Sequence, residues 1–285
     1  MSDNASKKAA GDADGRTEGA ALYVYCVGER AELEPLLSDE GAPAAIEESG
    51  ALETAGAGAL AAVVSAVPLA DYGEAALEAR MKDAAWTATR AMRHERAVEF
   101  FARRASVVPL RFGTIYLTRE RVAAMLDERG AELTSILGRL RGREEWGVNV
   151  YFDRARLKET VVELSPRLRE LAGQASAAAP GQAYLLRKKI DAMRTDEARA
   201  EVRRVAGEVE TALASAAVGA ARLRVLKDEA GEHGDVAAKL AFLVEREGFA
   251  EFRDAAEAVA RKYERAGFRL ELTGPWPAYN FAAGE

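Results

Sequence analysis

Apolar residues along the chain follow two patterns: short runs closed by glycine or proline, and longer stretches in which they recur at every third or fourth position. The first pattern suits strands and the second places an apolar stripe along a helix. Leu22-Tyr-Val-Tyr-Cys-Val27 opens the series and is ended by Gly28. Its unbroken apolar character predicts a strand in the middle of a sheet. A short helix over 31–37, a weaker strand over 44–48 and a firmer one over 60–67 follow. Between Glu74 and Ala105 there is neither Pro nor Gly, and Leu77, Met81, Ala84, Ala88, Ala91, Val98 and Ala102 predict one long amphipathic helix. Val107 to Phe112 reads as a strand, with Pro109 marking an edge or a break in pairing. Thr118 is placed to cap a further helix that Gly130 divides.

The pattern then restarts. The charged, glycine-containing run from Arg139 to Glu145 marks a domain boundary, and Val148 to Phe152 is the next strand. Asp153 is an N-cap for a helix towards Leu171 that kinks at Ser165-Pro166, and the small residues from Gly173 to Gly181 predict a flexible connection. A helix over 182–218 would be about 50 Å long. Strands over 221–226 and 239–244 predict a hairpin across the polar turn Lys227 to Asp235, before a helix over 249–263 and a strand over 268–272. Both halves therefore read βαββαβ. Right-handed crossovers fold such an order into a four-stranded antiparallel sheet with helices on one face. The expected fold is α+β, with two ferredoxin-like domains, long helices and an extended C-terminal tail. The expected boundaries are a disordered tail over 1–20, domains over 21–141 and 142–274, and the tail over 275–285.

The composition of the 285 residues, 49% hydrophobic and 30% charged, is that of a folding globular chain. A formal net charge of -6 gives nucleic acid and anionic lipid no long-range attraction. Cys26 stands alone, so neither an intrachain disulfide nor a cysteine-built metal site is expected. The start of the chain lacks the apolar core and basic lead of a signal peptide, and no run is long enough to span a bilayer. A cytoplasmic protein without a membrane partner is the resulting expectation.

Catalysis would have to lean on His94 and His233. His94 lies near the edge of the apolar face of its helix and reads as a partly buried structural residue, and His233 sits in a turn. Carboxylates are scattered along helices as partners for Lys and Arg, and no phosphate loop or nucleophile elbow occurs. No enzyme activity, cofactor, metal or small-molecule substrate is expected. An RNA-binding module is the alternative that the fold class offers, since such sheets stack bases on exposed aromatics. Tyr23 and Tyr25 share one face of the first strand, but the rest of that signature is missing and the charge is negative, so the tyrosines are expected to pack.

The most unusual segment is Leu272-Thr-Gly-Pro-Trp-Pro-Ala-Tyr-Asn-Phe281. Pro275 and Pro277 remove two donors and fix their own φ, so the segment is expected to leave ordinary strand pairing as an extended tail. Trp276, Tyr279 and Phe281 make it an anchor, either a clamp on its own domain or a surface for a partner. Arg111, between Leu110 and Phe112, is expected to point away from them as a partly buried structural guanidinium.

This terminal segment closely resembles the C-terminal signature of the gas vesicle F/L family. Tyr23-Val-Tyr25, Val108-Pro-Leu-Arg-Phe-Gly-Thr114, Trp146-Gly-Val-Asn-Val-Tyr151 and Ala183-Tyr-Leu185 resemble other blocks of that family in the same order. Ala278 departs from the pattern, which has a second proline there. The resemblance implies an accessory or minor structural protein of gas vesicle assembly, located with gas vesicles and contacting the hydrophobic shell protein and other gas vesicle proteins. It implies no catalysis. A holdase, a nucleation adaptor and a wall component all fit it.

Overall fold

A computed structural model describes residues 19–225, 230–231 and 234–282. The expected disordered tail lies outside these residues except for Gly19 and Ala20, as do His233 and most of the turn from Lys227 to Asp235. The chain divides into two compact units, one ending at Arg141 and the other beginning at Gly142. Helices combine with antiparallel sheets in both.

In the first unit β1 (Ala20–Glu29) is buried along nearly its whole length. Both of its faces are covered, Leu22 and Val24 as well as Tyr23 and Tyr25 being buried, which is why the sequence there shows no alternation. The connection α1 (Arg30–Leu36) leads to β2 (Glu53–Ala55) and β3 (Leu60–Pro68). β3 pairs with β1 through Val24↔Val64 and Cys26↔Val63, with a bulge at Tyr25. The expected strand over 44–48 is not a strand. Ile46 is buried there, and its backbone is satisfied by side chains instead of a ladder: its N–H donates to the Tyr25 hydroxyl at 2.7 Å and its carbonyl accepts from Arg93 at 3.0 Å.

The single helix expected over 74–105 is two, α3 (Glu74–Arg80) and α4 (Ala84–Ala102), and the single turn α2 (Leu69–Tyr72) precedes them. Asp83 is extended, and its carboxylate accepts from the N–H groups of Ala85 and Trp86, so a cap interrupts a stripe whose periodicity runs through it. The strand expected over 107–112 shortens to β4 (Val107–Pro109), an edge strand beside β1, as Pro109 requires. β5 (Ile115–Tyr116) also pairs with β1. The Thr118 hydroxyl caps α5 (Arg119–Glu128), and a break at Arg129 precedes α6 (Gly130–Leu140). The sheet order is β2-β3-β1-β4.

The second unit begins with β6 (Arg143–Phe152), which takes in much of the charged run expected to be a boundary. Asp153 caps α7 (Arg154–Leu164). Ser165-Pro166 ends that helix instead of kinking it, because Ser165 is extended and caps α8 (Pro166–Ala177). Most of the supposed flexible connection is thus helical, consistent with its alanine content, and only Ala178 and Ala179 separate α8 from the 35-residue α9 (Pro180–Ala214). β7 (Gly219–Leu223), β8 (Ala230–Gly231) and β9 (Gly234–Glu245) precede α10 (Phe249–Glu264) and β10 (Phe268–Trp276). The order is β10-β6-β9-β7, with β8 also against β9. Val148, Val150, Leu240 and Phe242 from the sheet pack with Leu157, Val205, Val209 and Phe252 from the helices.

Candidate functional site

Two sets of residues concentrate the unusual chemistry, one in each unit. In the first, β1 carries Tyr23 into contact with His94 of α4, and both are fully buried. The Leu110 carbonyl, 3.1 Å from His94 Nε2, can only accept, so Nε2 donates. His94 Nδ1 then accepts from the Tyr23 hydroxyl at 3.0 Å, and that hydroxyl in turn accepts from the Gly113 N–H at 3.0 Å. Burial lowers the His94 pKa to about 4, partly offset by the bond to Leu110, so the imidazole is neutral near pH 7. Burial likewise raises the Tyr23 hydroxyl and the Cys26 thiol above their ordinary values and pushes Tyr25 up to about 12. None of these groups is poised to exchange a proton near neutrality.

The same contacts fasten the loop after β4. Leu110 N–H donates to the Tyr25 carbonyl, and Val24 N–H donates to the Thr114 carbonyl, each at 2.9 Å. Gly113 has φ 83°, a value glycine adopts without strain. The Tyr23-Val-Tyr25 and Val108 to Thr114 blocks therefore meet, and the loop is a clasp on β1. The buried tyrosines offer no stacking platform for bases. Arg111 corrects the sequence expectation: it follows the end of β4 and is exposed, and its carbonyl accepts from the Thr114 hydroxyl at 2.7 Å.

In the second unit the terminal segment stays paired longer than its prolines predict. Thr273 faces Gly147 and Trp276 faces Glu145, so a bulge absorbs Gly274 and Pro275 and β10 continues to Trp276. Gly274 has φ 124°, and a Cβ there would stand 3.1 Å from the Glu145 carbonyl oxygen. Beyond it, a single turn over Tyr279–Phe281 brings Asn280 onto β6. The Asn280 N–H donates to Glu145 Oε2 at 3.0 Å, and its side-chain amide donates to Oε1 at 2.6 Å. Glu145 is 4% exposed, and burial raises its pKa against the opposing effect of these two bonds.

By the period of two, Glu145 lies opposite Trp146, which stacks on Phe249 of α10 with ring centroids 4.0 Å apart. The tail thus crosses the sheet face turned away from the helices. Phe281 completes the crossing: a Cβ on Gly219 of β7 would stand 3.1 Å from its ring. Pro277 is buried and Tyr279 and Phe281 are half-buried, but Trp276 is 54% exposed, its indole N–H donating to the Thr273 hydroxyl at 3.1 Å. The Trp146 to Tyr151 and Leu272 to Phe281 blocks are adjacent strands, while Tyr184 and Leu185 of the remaining block are exposed on α9.

Glu145 and Asn280 escaped the sequence reading. Glu145 sits in a charged run that resembles a solvated boundary, and Asn280 carries no mark of its partner 135 residues away. Among the described residues no cluster of three or more His, Cys, Asp or Glu could hold a metal ion, and no helix is long and apolar enough to cross a membrane.

Comparison with known proteins gives consistent matches. The sequence profile described as "Gas vesicle synthesis protein GvpL/GvpF" matches residues 21–283. Gas vesicle protein L of Streptomyces sp. (strain CB03234) is 31% identical over 230 residues, covering 79% of this chain and 80% of that protein. Gas vesicle protein F of the same strain is 30% identical over 196 residues, covering 67% and 76%. The crystal structure of GvpF from Anabaena sp. PCC7120 superposes with a TM-score of 0.66 at 16% identity, over 93% of this chain and 97% of that one. GvpF from Microcystis aeruginosa gives 0.59 at 18% identity, over 92% and 99%. These structures share the fold.

Proposed function

The chain belongs to the family of gas vesicle synthesis proteins GvpL/GvpF, and from that membership we propose that it is a non-catalytic accessory or minor structural protein of gas vesicle assembly, which binds the hydrophobic shell protein and other gas vesicle proteins. A wall protein with an apolar surface aggregates when its subunits meet out of order, and a folded partner that covers apolar area suppresses this. The observation that carries the reading is the terminal segment. Asn280 and Phe281 fasten it to its own sheet while Trp276 stays 54% exposed, so a large aromatic is presented on a chain whose ordering entropy is already spent. Pro275, Trp276, Pro277, Tyr279 and Phe281 then act partly as anchor and partly as contact surface, with Arg111 a second candidate contact. The neutral, fully engaged His94 supports a role without catalysis.

The strand orders β2-β3-β1-β4 and β10-β6-β9-β7, antiparallel throughout, support reading residues 21–141 and 142–274 as two ferredoxin-like domains. Co-purification with the shell protein tests the function. Wild-type protein should keep the shell protein soluble, and Trp276→Ala should weaken the complex without unfolding the chain. A wild-type protein that neither binds shell protein nor changes vesicle yield when deleted from cells would overturn the reading. Recovery from washed vesicles separates a wall component from a holdase or nucleation adaptor.

A further inference from the structure

The second unit contains a cavity of about 450 Å³ between the start of α7, the middle of α9 and β9. Its floor is apolar, built from Phe152, Leu157, Val202 and Val236. Its rim carries Arg154, Lys158, Arg199 and Arg203, and among the described residues no carboxylate lines it. Four cations around one opening are unexpected in a chain of net charge -6. Two are partly neutralised from outside the lining, Arg154 by Asp235 at 2.9 Å and Arg199 by Asp196 at 3.4 Å. Lys158 and Arg203 have no ion-pair partner among the described residues.

The cavity also opens onto a track. Tyr184, Lys188, Ala192, Thr195, Arg199 and Arg203 recur at helical spacing and are all exposed on α9. From Tyr184 to Arg203 this stripe runs roughly 28 Å at 1.5 Å per residue. It is aromatic and basic at its outer end and reaches the basic rim at the other.

We propose that this cavity and the adjoining stripe bind an acidic amphipathic helix of a partner protein, with aliphatic side chains on the apolar floor and carboxylates on the four cations. Charge complementarity selects an acidic ligand, and the apolar floor selects one with apolar side chains; a free phosphate would leave that floor uncovered. A helix fits because it can lie along α9 while lowering an apolar turn into the cavity. The inference stands apart from the assembly role, since it rests on cavity shape and charge and not on family membership.

The test uses the full chain and a fluorescein-labelled peptide that folds as a helix with glutamates on one face and leucines on the other, followed by fluorescence anisotropy. The peptide should bind, more weakly as salt rises. Arg199→Glu with Arg203→Glu should weaken binding at least about tenfold, and Val202→Asp should do the same, while Arg253→Glu with Arg261→Glu, elsewhere on the unit, should not. If the double reversal fails to fold, Lys158→Glu alone carries the test, with an intact melting curve as control. Equal binding of a peptide with glutamine in place of glutamate would overturn the proposal, as would unchanged affinity in a folded cavity variant. Binding to phosphatidylglycerol vesicles but not to the peptide would also overturn it and assign the basic rim to lipid.

Discussion

Asn280 holds the carboxylate of Glu145 from two directions, its backbone N–H on Oε2 and its side-chain amide on Oε1. The pair joins the turn Tyr279–Phe281 to the first strand of its unit. Asn280→Ala keeps the backbone donor to Oε2 but removes the side-chain donor to Oε1 of a buried carboxylate, and should cost about 1 to 3 kcal/mol near pH 7. Burial raises the Glu145 pKa, so its contribution is fully present below the ordinary carboxylate value and is lost as pH rises through the raised one. The deficit of Asn280→Ala should therefore shrink in acid, where the carboxyl is protonated in both proteins. Urea unfolding of variant and wild type across that range measures this, and a pH-independent deficit would deny the pairing its role.

His94 should make the first unit less stable in acid. Its folded pKa of about 4 lies below the ordinary 6.5, so its stabilising contribution is fully present above 6.5 and is lost as pH falls towards 4. The loss over that window should be about 3 kcal/mol, from about 1.4 kcal/mol for each pH unit. His94→Gln should flatten the dependence, read as amide exchange of β1 and the Leu110 to Thr114 loop at several pH values. The variant should reveal no lost turnover.

Trp276→Ala should change folding stability by about 1 kcal/mol or less, because the indole is largely exposed and its N–H bond is to a neighbouring residue. Shell-protein association should weaken more than stability. A loss of several kcal/mol in the melting analysis would instead make Trp276 a clamp.

Gly274→Ala should destabilise the second unit by about 1 to 3 kcal/mol, since the residue has φ 124° and an added Cβ would press on the Glu145 carbonyl. The effect should appear as faster exchange of the β10 amides that pair with Glu145 and Gly147. Unchanged protection would show that the bulge has another stable form.

Arg111→Ala should alter folding stability little, within about 0.5 kcal/mol, because the side chain is exposed. Weaker co-purification of gas vesicle proteins with a normally folded variant would identify it as a contact residue. Normal binding and normal vesicle yield would remove it from the candidate surface.

Several elements were legible because their signals are local. The apolar run of β1, the caps Thr118 and Asp153, the alternation in β10 and the long helix α9 each declare themselves within a few residues. Misreadings arose where one local signal opposed another. Apolar periodicity carried a helix across Asp83, although the carboxylate of that residue ends it, and the small residues before Pro180 looked like a linker although alanine favours helix. At Ile46 side chains from distant segments supply the backbone partners, so the extended reading of 44–48 had no local contradiction.

By itself the sequence determined the alternation of strands and helices and the family blocks that name the protein's relatives. These follow from spacing and residue type, which act over a turn of helix or a pair of strands. Only the tertiary structure decided which residues those blocks bring together. Gly113 meets Tyr23 across 90 residues and Asn280 meets Glu145 across 135, and burial there turns an ordinary histidine neutral and a surface-like glutamate into an anchor. The physical reason is that desolvation and hydrogen-bond partnership depend on what surrounds a group in space, and the order of residues does not carry that.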